Sequence, residues 1–402
     1  MHSIIKAVSV IFYIAFTLNL PNYIFLSMDG PAPKFWLICG GLITGALYTI
    51  NHRIKLLAYQ KINLWLIFYF LTSCIWMLGN KNSTSAGEGL TMTLTTIIIS
   101  LSAIFSFKYI SIDDKLWNFA LWTTIMTATL CIAWEVSTPN ANPFYIPGES
   151  IPGRPAGLFI NANIAAQMLL MSLLCLIQRG KKYQSAIGFL IAGIGIFLTL
   201  SRGGIACLIL ILFMASIQNL IPRFITIIAA IAGFTIFSFG FVAADFINAT
   251  INSDQKLTMD RLLIIFGQNS IFEYSDQSRN DLIQFSIDSF MDSPFFGNGL
   301  GYTQNWLPGQ GTHNMILKHI VEYGLIGLFI FPLFLLASMY SNKNRPDKWI
   351  YSSFIVVIFW SIFSHNLLEQ ASFLLPWYAL CFINQERKTN AIQKPSLFFY
   401  PH

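Results

Sequence analysis

Long apolar runs, separated by short polar segments, repeat along almost the whole chain. A helix needs about 20 apolar residues to cross a bilayer, and within such a helix the backbone satisfies its own hydrogen bonds. The pattern therefore predicts an all-α, polytopic membrane protein with about twelve transmembrane helices. The predicted spans are 4–26, 35–50, 63–79, 90–107, 116–136, 157–178, 185–200, 203–218, 224–247, 313–340, 349–364 and 366–384.

The composition agrees with a single integral membrane domain over residues 1–402. Hydrophobic residues make up 55% of the chain and charged residues 10%, whereas soluble domains carry about 25% charge. The net charge of +6 does not indicate nucleic-acid binding, because the basic residues are dispersed among short loops. Alternate loops are richer in Lys and Arg, so the positive-inside rule places both termini in the cytoplasm.

Other sequence features argue against common alternatives. The first apolar run lacks a small-residue cleavage site, so we interpret it as a retained span and not as a removable signal peptide. The six cysteines lie inside apolar runs without ligand spacing, so we expect no disulfide framework, no metal and no cofactor. No Walker loop, dinucleotide fingerprint, H-E-x-x-H or G-x-S-x-G motif occurs.

Two segments on the predicted outer side are long enough to build a site. The first runs from Ser137 to Ala156, and the second, 248–312, is inserted between spans nine and ten as a large loop. Within the second, Ser278 to Met291 has the pattern of an amphipathic helix that stops at Ser293 and Pro294. The apolar positions of that helix are Leu282, Ile283, Ile287, Phe290 and Met291.

Arg154, Arg202 and Arg279 come from distant segments, yet the predicted topology puts all three on the outer side. A guanidinium presents fixed donors that match phosphate oxygens, so three of them could hold a diphosphate. The alternative is that each arginine marks a helix end. Arg202 lies at the tip of a predicted tight hairpin of spans seven and eight, in Ser201–Gly204, where glycine permits close backbone approach to a ligand.

His313 opens the tenth predicted span. A histidine with an ordinary pKa of about 6.5 can accept a proton from an acceptor hydroxyl at neutral pH, although a structural role is the alternative. His319 and His365 are weaker candidates. A carboxylate at Glu322, inside the span, must be paired or neutral, which favours a structural hydrogen bond.

The asparagines at the start of the sixth span, Asn161 and Asn163, have two open roles. They could bind sugar or cap the helix.

In this order the motifs resemble the O-antigen ligase family, which also includes O-antigen polymerases and protein O-oligosaccharyltransferases. The similarity covers roughly Arg154 to Gly327. The matching motifs are Arg154 with Gly157–Asn163, Ser201–Gly204, Ser278–Asn280 leading to Pro294–Gly301, and His313 with Asn314 through Glu322, Gly324 and Gly327. Ala162 departs from the pattern, because relatives often have a larger residue between the two asparagines, and this weakens sugar binding at that turn.

The resemblance implies a GT-C-like fold in the bacterial inner membrane, with the active site and the loop 248–312 facing the periplasm. It implies an undecaprenyl-diphosphate-linked glycan donor and lipid A core oligosaccharide, another glycan or a protein as acceptor, joined by inverting, metal-independent attack. The residues implied are His313, Arg279 and Arg202 for catalysis, and Arg154, Asn161, Asn163 and Glu322 for substrate binding. Alternatives are an O-antigen polymerase, a protein O-oligosaccharyltransferase and, outside the enzymes, a transporter or flippase of lipid-linked sugars.

Overall fold

The computed structural model describes thirteen stretches of the chain, and for 2–5, 108–109 and 270–279 it describes the backbone alone. Over these stretches the secondary structure is helical, with no β-strand. The described residues are 2–33, 35–36, 40, 60–80, 83–109, 114–138, 142–147, 149–150, 154–228, 231, 270–306, 311–341 and 346–382.

The α-helices are numbered in chain order. They are α1 His2–Thr17, α2 Leu20–Met28, α3 Lys61–Met77, α4 Ser83–Ile104, α5 Asp114–Ser137, α6 Ala162–Arg179, α7 Lys182–Leu198, α8 Arg202–Ile217, α9 Ser270–Asp292, α10 Met315–Tyr323, α11 Gly327–Met339, α12 Lys348–Trp360 and α13 Ala371–Phe382. A π-helical turn, Phe105–Tyr109, extends α4, and 3₁₀ turns cover Gly157–Phe159, Tyr302–Gln304, Gly324–Ile326 and Leu367–Glu369.

The described part of the chain has several helices that suit a membrane. Four are long and apolar enough to cross one, and the bent pair of α1 and α2 makes a fifth candidate. Five shorter apolar helices, α3, α7, α8, α12 and α13, accompany them. The structure therefore supports a multi-pass membrane protein. The predicted spans 35–50 and 224–247 lie almost entirely outside the described residues.

Two predicted spans are not regular α-helices throughout. The first bends by 59° between α1 and α2, where Asn19 has a left-handed φ of 58° and Pro21 lies in the first turn of the next helix. Proline fits the first turn of a helix but lacks the N–H that would continue the preceding one. The tenth predicted span, 313–340, contains a 3₁₀ turn at Gly324–Ile326, where Gly324 has a φ of +64°. Helices α10 and α11 together, Met315–Met339, are nevertheless one of the four long apolar candidates.

Helix α6 lies at the centre of the packing. Of its 18 residues, 78% are buried. Its small residues let neighbouring helices approach it closely. The indole N–H of Trp349 donates to the Leu174 carbonyl at 2.9 Å, and that of Trp360 donates to Gln167 Oε1 at 3.2 Å. These bonds join α12 to α6, so the start of α6 is held at a fixed position.

The predicted loop 248–312 contains α9, which ends at Asp292, one residue beyond the predicted Met291, and begins at Ser270, before the predicted Ser278. This helix packs through Leu282, while Ile283 and Ile287 of its apolar face are 39% and 40% exposed. The following turn is bonded to the break in the tenth span, since Asn298 N–H donates to the Val321 carbonyl at 2.9 Å.

Candidate functional site

The segment that carries Arg154 is fixed to the end of α5 by a carboxylate. Glu135 Oε2 accepts from the backbone N–H groups of Ala156, at 2.8 Å, and Gly157, at 2.7 Å. Gly157 has a φ of +56°, and a Cβ added there would lie 3.0 Å from Cβ of Cys131. The chain therefore needs glycine at this point to pass close to α5.

Arg154 is joined to the tip of the α7–α8 hairpin through one amide oxygen. Asn163 Oδ1 accepts from Arg154 Nη2 at 2.8 Å and from Ser201 Oγ at 3.0 Å. Ser201 also caps α8 by accepting from the Gly204 N–H at 3.3 Å. Because Arg202 is the first residue of α8, the structure brings the segments of two predicted arginines, Arg154 and Arg202, to one place.

The two predicted asparagines have different roles in the structure. Asn161 Oδ1 accepts from the backbone N–H of Asn163 at 2.9 Å and caps α6. This contact matches the capping alternative for Asn161. Asn163, by contrast, uses its side-chain oxygen to hold Arg154 and Ser201.

The hairpin of α7 and α8 is tight and antiparallel, as its sequence predicted. A Cβ added at Gly204 would lie 3.1 Å from Cγ2 of Ile196, and one at Gly193 would lie 3.4 Å from Cδ2 of Leu208. A Cβ added at Gly203 would lie 2.8 Å from Cγ of Phe363, in the loop 361–366 that follows α12. That loop therefore packs directly on the hairpin tip.

His313 lies against His365 of the same loop. Their ring centroids are 5.5 Å apart and the ring planes meet at 85°. His313 has a left-handed φ of 50°, which is uncommon for a residue with a side chain. The next residue, Asn314, caps α10 by accepting from the Ile316 N–H at 2.9 Å. A strained backbone of this kind is often found at functional sites.

The loop 361–366 thus links His313 to the hairpin tip: Phe363 contacts Gly203, and His365 contacts His313. Burial lowers the pKa of His365 to about 3, and the nearby positive charge of Lys318 acts in the same direction. His365 is consequently a neutral imidazole at neutral pH, and it adds no charge beside His313.

Glu322 faces a different set of groups. It is 2% exposed, and its Oε1 accepts at 2.6 Å from Oγ1 of Thr303, in the 3₁₀ turn Tyr302–Gln304. The buried Lys318, one turn earlier on α10, pairs with Glu369. The contact with Thr303 is the structural hydrogen bond that we expected for a buried carboxylate at this position.

Arg279 lies on α9, but its side chain is outside the described residues. Its predicted catalytic role therefore stays a prediction. Among the described residues there is no group of three His, Cys, Asp or Glu side chains that could hold a metal ion.

Sequence reasoning missed several neighbours of the candidate residues. It did not pair His365 with His313, and it assigned nothing to Glu135 or Phe363. A carboxylate near the end of a predicted span was an available signal for Glu135. Phe363 gave none, because its importance depends on contact with a glycine far away in sequence.

Over the residues described, these observations support a multi-pass, all-helical membrane protein. Arg154, Asn163 and Ser201 are hydrogen-bonded to one another near the starts of α6 and α8, and the loop 361–366 connects the hairpin tip to His313. Residues 187–332 match the model of the O-Antigen ligase family. The match confirms the resemblance inferred from the motifs. It includes the hairpin tip, α9 and His313, whereas Arg154, Asn161 and Asn163 precede it. A search of curated proteins gives no match. The family indicates a membrane protein of ligase or polymerase type.

Proposed function

We propose that the chain is an O-antigen ligase, a glycosyltransferase of the bacterial inner membrane. It moves a glycan from undecaprenyl diphosphate to lipid A core oligosaccharide at the periplasmic face. The observation that carries this proposal is the hydrogen-bonded chain from Arg154 through Asn163 to Ser201, beside Arg202. The loop 361–366 connects that chain to His313.

The arginines act on the donor in this scheme. Arg154, Arg202 and Arg279 neutralise the diphosphate, which becomes a good leaving group once its charge is compensated. Guanidinium groups suit this role because they stay charged and donate to two oxygens at once. Asn163 holds Arg154 in place, and the glycine-rich start of α8 permits the diphosphate to approach the backbone.

His313 acts on the acceptor. It takes the proton of an acceptor hydroxyl while the hydroxyl oxygen attacks the anomeric carbon of the donor glycan. The bond from that carbon to the diphosphate oxygen breaks, the configuration inverts, and undecaprenyl diphosphate leaves. His313 then carries the proton, and no metal takes part. Glu322, which sequence reasoning included among the substrate-binding residues, supports the outer turn through Thr303.

The lipopolysaccharide ladder of a deletion strain tests this proposal. Loss of all O-chain with an intact core, restored by the wild-type gene and not by His313→Ala, is the expected result. A core that carries one repeat would indicate a polymerase instead. An unchanged ladder with unglycosylated proteins would indicate a protein O-oligosaccharyltransferase, and donor trapped on the cytoplasmic side would indicate a flippase.

A further inference from the structure

The loop 361–366 is tied to α10 at both of its ends. At its start, the carbonyl oxygen of Ser361 accepts from the backbone N–H of Met315 at 2.9 Å. In the 3₁₀ turn that follows the loop, the carboxylate of Glu369 pairs with the ammonium of Lys318. Met315 and Lys318 are three residues apart on α10 and therefore lie on the same face of that helix. The loop is thus held along one face of α10.

Both residues of the second tie are removed from water. The side chain of Lys318 is 5% exposed and that of Glu369 is 15% exposed. A buried ion pair loses hydration that its attraction barely offsets, and apolar residues of similar volume are often as stable in its place. The stability of the fold therefore does not account for this pair. What the pair supplies is a fixed geometry between two segments that are 51 residues apart in sequence.

Lys318 has a nearer carboxylate in the sequence. Glu322 follows it by four residues, which is the usual spacing of an ion pair within a helix. That carboxylate is used elsewhere, since Glu322 Oε1 accepts from Thr303 Oγ1 at 2.6 Å. Lys318 pairs instead with the turn after the loop. The pair is therefore a contact between separate segments and not a feature of one helix.

The turn that carries Glu369 is itself fixed to the core. Leu368 is buried, and its carbonyl oxygen accepts from Thr96 Oγ1 of α4 at 2.7 Å. On the other side of Glu369, Oε1 of Gln370 accepts from Gln167 Nε2 of α6 at 2.8 Å. The ion pair therefore connects α10 to a point that α4 and α6 hold in place.

Between its two ties, the loop packs on the segment that precedes α10. The ring centroid of His365 lies 5.5 Å from that of His313. The imidazole of His365 also lies against the backbone of Gly311, where an added Cβ would collide with Nε2. A shift of the loop would therefore move the ring that contacts His313.

We propose that Lys318 and Glu369 are positioning residues for the reaction, because their ion pair holds the loop 361–366, and with it His365, against His313. This inference deepens the proposed function and rests on it for the role of His313 as the base. Neither residue of the pair touches a substrate in this scheme. A displacement of about 1 Å in a reacting group can lower a rate by about 100-fold, so loss of the pair should reduce kcat.

A double variant of the full-length protein in nanodiscs, Lys318→Met with Glu369→Leu, tests the proposal. Each single variant would leave one buried charge without its partner, which destabilises the fold. The double variant removes both charges and keeps the apolar volume. Arg179→Met with Asp114→Asn is the matched control, because it removes another ion pair whose basic side chain is buried, at the opposite end of α6 from Asn163.

Initial rates with purified lipid-linked glycan and O-chain-free lipopolysaccharide separate positioning from a general loss of structure. At equal amounts of folded protein, the double variant should have a kcat about ten-fold below that of the wild type. Its KM for the lipid-linked glycan should be unchanged, since the arginines are intact, and the control should keep both values. A wild-type kcat in the double variant, a raised KM with unchanged kcat, or an equal loss of kcat in the control would overturn the proposal.

Glu369→Asp provides the decision if the double variant does not fold. It keeps both charges but shortens one side chain by a methylene group, so the turn and α10 no longer meet at the same distance. We expect a lower kcat with an unchanged KM for the lipid-linked glycan. A wild-type kcat in Glu369→Asp would then overturn the proposal.

Hydrogen exchange measured by mass spectrometry reports the loop without any transfer reaction. The amides of Met315 and 361–366 should exchange about three-fold faster or more in the double variant, because the loop opens locally, whereas those of α6 should exchange as in the wild type. If the wild-type protein transfers no glycan yet this local change appears, the ligase proposal fails and the tie stands. If transfer occurs but exchange at 361–366 is unchanged, the ligase proposal stands and the positioning role is wrong.

Discussion

The side-chain oxygen of Asn163 holds the guanidinium of Arg154, with 2.8 Å between Oδ1 and Nη2. The same oxygen accepts from Ser201 Oγ at 3.0 Å, so one amide joins the Arg154 segment to the hairpin tip. Glu135 fixes the backbone just after Arg154, because it accepts from the N–H groups of Ala156 and Gly157. Arg154 is thus positioned from both directions before any substrate binds, which reduces the ordering that a diphosphate would have to impose.

We expect Asn163→Ala to lower glycan transfer about ten-fold, because Arg154 loses the acceptor that orients it. Arg154→Ala should lower transfer at least as much. If Asn163 acts through Arg154, the double variant should be no slower than Arg154→Ala alone, which a double-mutant cycle measures as strong coupling. Independent, multiplicative losses in the double variant would show that Asn163 does not act by positioning the arginine.

Arg202→Lys should reduce transfer by about 10-fold to 100-fold while the protein stays folded in the membrane. The reason is that an ammonium keeps the charge but cannot reproduce a forked contact to two phosphate oxygens. Arg223→Lys is the matched control, since Arg223 is exposed and lies outside the candidate site. Initial rates with purified protein check this prediction, and wild-type activity of Arg202→Lys would remove the diphosphate role of that residue.

Gly203→Ala tests whether the loop 361–366 must pack on the hairpin. The added Cβ would lie 2.8 Å from Cγ of Phe363, so the loop has to move, and His365 with it. We expect transfer to fall about ten-fold or more, although alanine is a better helix former than glycine by about 1 kcal/mol.

The control for this loop test is Gly87→Ala, where a new Cβ meets nothing within 4 Å. It should leave transfer unchanged. The rates of both alanine variants are compared at equal amounts of folded protein, measured by size-exclusion chromatography in detergent. If the two variants transfer glycan equally well, the packing of Phe363 on Gly203 has no part in the reaction.

Apolar length alone was enough to predict much of the fold. The predicted spans 116–136 and 203–218 differ by one or two residues at each end from Asp114–Ser137 and Arg202–Ile217. The break at Gly324 could not be predicted in this way. A Cβ on Gly324 would lie 2.5 Å from the carbonyl oxygen of Phe295, so the break coincides with a tertiary contact to the turn that follows α9.

The candidate site likewise contains residues that the sequence could predict and neighbours that depend on tertiary contacts. Residue type and predicted sidedness were enough to single out Arg154, Arg202 and His313, because charged or titratable groups are rare in this chain. Their neighbours depend on contacts between distant segments. His365 contacts His313 only because the loop after α12 folds back over the start of α10, and no periodicity in the sequence reports such a contact.

The pH dependence of stability should report the environment of His365. Burial lowers the pKa of this imidazole from 6.5 to about 3, so below pH 6.5 the unfolded chain binds a proton there that the folded chain does not. The contribution of His365 to the free energy of unfolding is therefore largest above about pH 6.5, and it decreases as the pH falls toward 3. The neighbouring Lys318 and His313 oppose protonation of His365 in the folded state.

Replacing His365 with phenylalanine removes this titration and keeps a ring in the same place. Thermal unfolding in detergent should show a smaller fall in midpoint between pH 7 and pH 4.5 for His365→Phe than for the wild type. The other titratable groups are the same in both proteins, so the comparison isolates the effect of residue 365. Parallel pH profiles of the two proteins would mean that His365 takes up protons in the folded state as readily as in the unfolded chain.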